Sequence, residues 1–161
     1  MSMGEWRPML TADLPAVTAL SAAVHGVYAE PQAVYTERLT LFPAGCFTWV
    51  RDDSIDGFLV THPWRGDEPP ALGAMLGSIP RNPDRYYLHD IALAATARNT
   101  GAGRAAIALV DDLARQAGLR QVTLVAVNGA DRYWAANGFS YVPGQSGSYG
   151  AGSFAMRREI G

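Results

Sequence analysis

Residues 86–118 contain the feature that most restricts the fold: an apolar strand, a glycine-containing turn and a helix follow one another directly. Tyr86–Leu93 has the composition of a strand, and an apolar stripe at helical spacing ends at Gly118. A helix start carries free N–H groups and the positive end of the macrodipole, so it can hold an anion. Glycines let the backbone approach that anion closely. The turn between strand and helix therefore predicts an anion site, with the sequence Arg98-Asn99-Thr100-Gly101-Ala102-Gly103-Arg104.

The rest of the chain continues this strand and helix pattern. Val122–Val127 is an apolar run that predicts a buried strand, and two strands joined by a helix pair in parallel with a right-handed crossover. The whole pattern reads β-α-α-β-β-β-α-β-α-β-β, which indicates an α/β (α+β) fold with one mixed sheet and helices on both faces. A length of 161 residues without a visible linker predicts one domain over residues 1–161.

Two local expectations bear on the site. Residues 62–85 are rich in proline and predict a long loop, with a short helical piece near Ala71–Met75, of the kind that forms a lid or substrate wall. Regular alternation along the strand after this loop puts two sets of side chains on opposite faces. One set is Tyr87, His89 and Ile91, and the other is Leu88 and Ala92.

Composition excludes several classes of function. The formal net charge of −2 gives no electrostatic case for nucleic-acid binding. No apolar run approaches the roughly 20 residues of a membrane span, and no signal peptide is visible, so a cytoplasmic location is expected. Cys46 is the single cysteine, and His25 and His62 have no Cys or acidic cluster beside them in the sequence. No disulfide and no metal are therefore expected.

Two blocks of sequence resemble the GNAT N-acetyltransferase superfamily. The first is Ile91-Ala92-Leu93 followed by Arg98-x-x-Gly101-x-Gly103, which is similar to the acyl-CoA loop of that family. The second is Asn128-Gly129-Ala130, Tyr133-Trp134 and Asn137-Gly138-Phe139, which is similar to the block that follows the fifth strand in the family. The resemblance implies a mostly antiparallel twisted sheet of about seven strands, with a splayed parallel pair formed by strands four and five.

The resemblance also implies acetyl-CoA as a co-substrate, held between the splayed strands. The backbone of the fourth strand would pair with the pantetheine arm as an added strand does. The turn would take the pyrophosphate, and Asn128 would hydrogen-bond the pantetheine arm. The cofactor-binding residues implied in this way are Ile91, Ala92, Leu93, Arg98, Asn99, Thr100, Gly101, Ala102, Gly103, Arg104, Asn128 and Trp134.

Acetyl transfer to an amine needs a base for the ammonium and a donor for the leaving thiolate. His89 is the candidate base, because some members of the family place a Glu or His there, and otherwise it hydrogen-bonds within the sheet. Asp90 points to the opposite face of a regular strand, so it orients the substrate only if a β-bulge re-aims it. Otherwise it pairs with Arg85 or a helix end.

The general acid is where the sequence departs from the family. Trp134 stands at the position of the usual tyrosine, and an indole is not a practical proton donor, so Trp134 can equally be core packing. Tyr133 is the candidate acid. Tyr141, Tyr149 and unassisted departure of the thiolate remain open as alternatives.

The acceptor is predicted to be an amine, a small molecule or a peptide. Tyr87, Tyr28 and Trp64 are candidate substrate contacts with Asp90. Tyr28, Tyr35 and Trp64 either form an aromatic wall for the amine, with cation–π contact, or are packing residues. Homodimers are common in such folds, so a homodimer is one of the assemblies that we consider for this chain. The rival functions are a non-catalytic acyl-CoA-binding module and a nucleotide-binding domain. The nucleotide-binding reading is disfavoured because a third glycine and a Gly-Lys-Ser/Thr sequence are both missing.

Overall fold

The strands form one sheet in the part of the chain that the structure, a computed structural model, describes: residues 3–146, 150 and 152–161. The element order is the predicted one. The strands are β1 (Glu5–Pro8), β2 (Cys46–Arg51), β3 (Ser54–Trp64), β4 (Arg85–Leu93), β5 (Gln121–Ala126), β6 (Ser140–Ser146) and β7 (Phe154–Glu159). The helices are α1 (Leu14–His25), α2 (Gln32–Leu41), α3 (Ala102–Gln116) and α4 (Asp131–Ala136).

The sheet is mixed, and its strand order is β1-β2-β3-β4-β5-β7-β6. Every pairing of neighbours is antiparallel except that of β4 with β5, which are joined through α3. These two strands pair only where Tyr86–Leu88 faces Val122–Leu124. Beyond that point they separate, so β4 has no strand partner on this side from His89 to Leu93. The predicted fold class and the splayed parallel pair are confirmed.

Helices cover both faces of the sheet because each face carries its own apolar cluster. On one face, Val17 of α1 and Tyr35 of α2 pack with Phe58 and Val60 of β3. On the other face, the buried stripe of α3 and the side chains of β4 and β5 share a larger cluster with α4. α3 ends where Gly118 takes a φ of +74°, a left-handed conformation that favours glycine.

A β-bulge in β4 changes the direction of the side chains near the site. Val60 of β3 lies opposite Asp90 and Thr61 lies opposite Leu88, so His89 is an extra residue without a partner. The alternation therefore reverses after His89, and Ile91 packs with the α3 cluster whereas Ala92 lies in the α1–α2 cluster. The prediction that Ile91 shares the face of His89 is wrong. The bulge that the sequence left open is present.

The segment between β3 and β4, residues 65–84, is irregular, and the predicted helical piece at Ala71–Met75 is wrong. Only one turn-type bond, from Ala74 N–H to the Ala71 carbonyl, forms locally. Acidic side chains hold the segment instead. Glu37 accepts the N–H groups of Leu76 and Gly77, at 2.6 and 3.0 Å. Because these N–H groups are satisfied by α2, the segment does not need helical hydrogen bonds.

Candidate active site

The gap between β4 and β5 opens into a cleft of about 1080 Å³. One wall is Leu88–Leu93 and the other is Leu124–Asn128. The start of α3 closes one end of the cleft, and the connection between α1 and α2 closes the other. The part of β4 without a strand partner and the side chains at both ends of the cleft therefore line the same cavity.

The α3 end of the cleft is positively charged. Gly101 precedes the helix with φ +90°, and Asn99 also has a positive φ of 60°. Arg98 and Arg104 are exposed on either side, and Arg98 Nε donates to the Leu93 carbonyl at 3.3 Å. Two guanidinium groups beside a helix start are suited to a phosphate-like anion.

Gly103 lies under the side chain of Tyr133. A Cβ atom at Gly103 would lie 2.5 Å from the Tyr133 hydroxyl, so any other residue would displace this hydroxyl. The Tyr133 side chain is about half exposed and lines the cleft. Partial burial raises the pKa of the Tyr133 phenol, although the nearby charge of Arg104 opposes the shift. Tyr133 therefore keeps its proton at neutral pH and can donate it.

The opposite end of the cleft holds two pairs of histidine and carboxylate. In the first pair, His89 Nε2 lies 2.6 Å from Glu30 Oε1, and Glu30 Oε2 accepts the Gly73 N–H at 2.8 Å. The side chains of His89 and Glu30 are 0% and 3% exposed. His89 does not bond within the sheet, and its imidazole is held by a residue from the α1–α2 connection.

The second pair is centred on Asp90, on the same face as His89 because of the bulge. Its Oδ1 lies 2.6 Å from His25 Nε2, and its Oδ2 accepts the Tyr35 hydroxyl at 2.7 Å. Ser21 in turn lies 2.7 Å from the Tyr35 hydroxyl. Burial lowers the pKa of His25, but the hydrogen bond and charge of Asp90 outweigh it, so the pKa is raised. Burial also raises the pKa of Tyr35.

Most of the predicted site residues come together in this cleft. The candidate base and acid, one predicted aromatic contact and both predicted cofactor blocks line it. These residues are Tyr28, His89, Asp90, Ile91, Ala92, Leu93, Arg98, Asn99, Gly101, Gly103, Arg104, Asn128, Tyr133 and Trp134.

The other predicted site residues lie outside the lining. Tyr87 is buried, with its ring 6.0 Å from that of His89, and Trp64 packs 5.7 Å from the ring of His62. Thr100 bonds the Ala97 carbonyl and so shapes the turn. Ala102 is buried, and its carbonyl accepts the Trp6 indole N–H at 2.9 Å. Tyr87, Thr100 and Ala102 are next to lining residues in the chain, whereas Trp64 is not.

The alternative acids differ in position. Trp134 is buried in the main core, with its ring 5.4 Å from Phe139, although its edge reaches the cleft. Tyr141 lies outside the lining and donates to Asp131 at 2.6 Å. Tyr149 lies outside the described residues. Of the tyrosines proposed as the acid, Tyr133 is therefore the one that lines the cleft in the described structure.

The sequence does not assign His25 or Glu30 to the site, and it indicates Tyr35 only as an aromatic wall or packing residue. His25 is the last residue of α1, Glu30 precedes Pro31, and Tyr35 is in α2, so each looks local and unremarkable in the sequence. They meet β4 only through folding. The available signal was a set of polar side chains among apolar helix positions, and that pattern does not identify partners.

Among the described residues, no group of three or more His, Cys, Asp or Glu side chains is placed to hold a metal ion. None of the described helices combines the length and apolar character that a membrane crossing requires.

Comparison with known proteins gives a family match and several structural likenesses. Residues 14–139 match the acetyltransferase (GNAT) family. None of the curated proteins compared with the chain matches it. Ard1 from Thermoplasma volcanium is 18% identical, with a TM-score of 0.74 and 98% of each chain covered.

Two further structures extend the likeness. The ribosomal-protein-S18-alanine N-acetyltransferase from Escherichia coli is 16% identical, with a TM-score of 0.70, covering 98% of this chain and 94% of that one. The GNAT-like decarboxylase GphF in complex with isobutyryl-CoA is 17% identical, with a TM-score of 0.80, covering 96% and 98%. At such identities the likeness shows the fold.

Proposed function

Because the chain belongs to the acetyltransferase (GNAT) family, we propose that it transfers the acetyl group of acetyl-CoA to a primary amine by direct attack in a ternary complex. The observation that carries the proposal is a single cleft with two different ends. One end offers Arg98, Arg104 and a helix start for an anion, and the other offers paired histidines and carboxylates for proton transfer. A reaction between an anionic acyl donor and a cationic amine needs both.

The residues at the anionic-ligand end fit acetyl-CoA, which supplies the activated acetyl group. Ile91 and Leu93 lie on the part of β4 that has no strand partner on the cleft side, where an extended pantetheine arm can add as a strand does. Gly101 and Gly103 have no side chains to exclude the pyrophosphate. Arg98 and Arg104 supply charge.

At the other end, the acceptor ammonium has to lose a proton before its nitrogen attacks the thioester carbon. The predicted base, His89, has no exposed side-chain surface. It therefore acts only if Glu30 or a movement of the cleft connects it to the amine. Tyr133 of α4, whose hydroxyl lies beside Gly103 at the start of α3, is proposed to protonate the leaving thiolate.

Binding of acetyl-CoA by isothermal titration is the first experiment. The wild-type chain is expected to bind, and Gly101→Asp is expected to abolish binding because it puts a carboxylate at the anion site. Gly118→Asp is the matched control, because Gly118 also has a positive φ and open space but lies at the other end of α3. Equal loss of binding in both variants would contradict the assigned turn.

Turnover is the second experiment, measured as release of the CoA thiol with a chromogenic disulfide. The panel is an arylalkylamine, a diamine, a free amino acid and a short peptide. The chain suits this assay because it has no lysine of its own, and Cys46 is buried with its pKa raised to about 12. Isobutyryl-CoA in place of acetyl-CoA tests acyl length. Binding without turnover of any amine would instead support a non-catalytic acyl-CoA-binding module.

A further inference from the structure

The two pairs of histidine and carboxylate differ in how far they reach the cleft. His25 has 14% of its side chain exposed and Asp90 has 9%, whereas His89 and Glu30 have 0% and 3%. A group that takes a proton from a bound amine has to touch it, or reach it through one water. The pair formed by His25 and Asp90 is therefore the one with access to the cleft.

The ring nitrogens of the two histidines sharpen this difference. An ionised carboxylate only accepts hydrogen bonds, so His25 donates a hydrogen bond to Asp90 through its Nε2–H. In the neutral ring, Nδ1 then carries no proton and can accept one. His25 Nδ1 has no hydrogen-bond partner among the described residues, and it is not completely buried. His89 Nδ1 is also unpartnered within the described residues, but it is completely buried. Of the three histidines, all of them described, only His25 combines a place in the lining of the cleft with a ring nitrogen that is unpartnered and not completely buried.

On these grounds we propose that His25, oriented by Asp90, takes the proton from the acceptor amine. This inference rests on the proposed acetyl transfer. The ammonium gives one proton to His25 Nδ1, the freed nitrogen bonds to the thioester carbon, and the C–S bond breaks. Tyr133 protonates the leaving thiolate and regains a proton from the second N–H of the attacking nitrogen, and His25 then returns its proton to water. The balance is one amide, one CoA thiol and one released proton.

The surroundings of His25 suit this task. Asp90 from β4 and Glu30 from the α1–α2 connection are its negative neighbours, and both favour the protonated ring. Phe58 from β3 lies edge-on at 6.4 Å, and Asn128 contacts only the His25 carbonyl, at 3.4 Å. Tyr35 fixes the second oxygen of Asp90. A general base is most effective when its pKa lies near the working pH.

Chemical modification tests access without any acceptor. The chain has three histidines, and diethylpyrocarbonate acylates neutral, accessible imidazoles. Peptide mass mapping is expected to find His25 modified first, with His62 and His89 protected in the folded chain. The rate is expected to fall on acidification with a midpoint above pH 6.5. Preferential modification of His89 would overturn the proposal.

Carboxylate variants give a second readout from the same reagent. Asp90→Asn is expected to move the midpoint of His25 modification to lower pH, because it removes the hydrogen-bonding charge. Glu30→Gln is expected to move it less, because Glu30 acts on His25 only through its charge. An unchanged midpoint in Asp90→Asn would contradict the role assigned to Asp90.

Kinetics with the fastest amine of the panel complete the test. His25→Asn is expected to lower kcat by about 100-fold or more and to remove the acidic limb of the kcat/KM profile. Its Kd for acetyl-CoA is expected to stay within about twofold, because general-base loss need not affect cofactor binding. His89→Asn is expected to keep the acidic limb. Loss of the limb in His89→Asn and its retention in His25→Asn would refute the proposal and leave the acetyl transfer standing.

Discussion

The buried imidazole of His62 makes a quantitative prediction about stability and pH. Its side chain lies between the rings of Trp64, Tyr87 and His89, at 5.7, 5.5 and 6.3 Å. Nδ1 donates to the Pro63 carbonyl at 2.8 Å, and Nε2 is buried without a partner in the described structure. Burial lowers the pKa of His62 to about 3, and the neighbouring His89 and Arg38 add to this effect.

The sign and size follow from proton linkage. The unfolded chain binds a proton at His62 below a pKa of about 6.5, whereas the folded chain does not until pH 3 is approached. Stability should therefore fall as the pH drops, by up to about 1.4 kcal/mol per pH unit well below pH 6.5. Between pH 7.5 and pH 5.0 the loss from His62 alone comes to about 2 kcal/mol.

The assay is urea unfolding of the wild type and His62→Asn at both pH values, followed by tryptophan fluorescence. The asparagine amide can still donate to the Pro63 carbonyl, so packing costs are similar at both pH values and cancel in the comparison. The advantage of the wild type over the variant is expected to shrink by about 2 kcal/mol on acidification. A change below about 0.5 kcal/mol would refute the reasoning, since it would mean that the folded chain protonates His62 readily.

His25 provides the control, because its pKa moves the other way. A raised pKa contributes stability that is fully present below pH 6.5 and is lost as the pH rises through the folded value. In the same experiment the advantage of the wild type over His25→Asn is therefore expected to grow on acidification. If acidification changed the advantage of the wild type in the same direction for both histidine variants, the direction of one of the two pKa shifts would be wrong.

Two further predictions concern tyrosine hydroxyl groups, one buried behind Asp90 and one in the cleft. Tyr35→Phe is expected to lower the free energy of unfolding by about 2–4 kcal/mol, because Asp90 loses a donor and Ser21 a partner. In urea unfolding, Tyr35→Phe combined with Ser21→Ala should cost less than the sum of the single changes, and strict additivity would contradict the pairing. Tyr133→Phe is expected to lower kcat about tenfold or more with an unchanged acetyl-CoA Kd in titration, and an unchanged kcat would exclude Tyr133 as the acid.

The parts of the fold that the sequence predicted well are those with local causes. The α3 stripe, the glycine turn before it and the Gly118 end are all set by residues close in the chain. The residues at the α3 end of the cleft were predicted to lie together for the same reason, since Arg98 to Arg104 are consecutive. Local patterning and turn chemistry are the most readable signals in a sequence.

The partners of His89 and Asp90 could not be predicted, because these contacts join distant parts of the chain. His25 and Asp90 are 65 residues apart, and Glu30 and His89 are 59 apart. The helical piece expected at 71–75 failed for a related reason. Its neighbouring N–H groups are bound by Glu30 and Glu37, which propensity does not register. Long-range hydrogen bonds of this kind override local preference.

The extra residue in β4 means that one residue can be lost from this strand without moving the rest of it. Leu88 lies opposite Thr61 and Asp90 lies opposite Val60, and these partners are consecutive residues of β3. A chain without His89 would therefore alternate regularly, with Leu88 on the α3 face and Asp90 still on the face of His25 and Tyr35. A three-nucleotide deletion would thus remove the imidazole that is bonded to Glu30 and leave the pair of His25 and Asp90 in register.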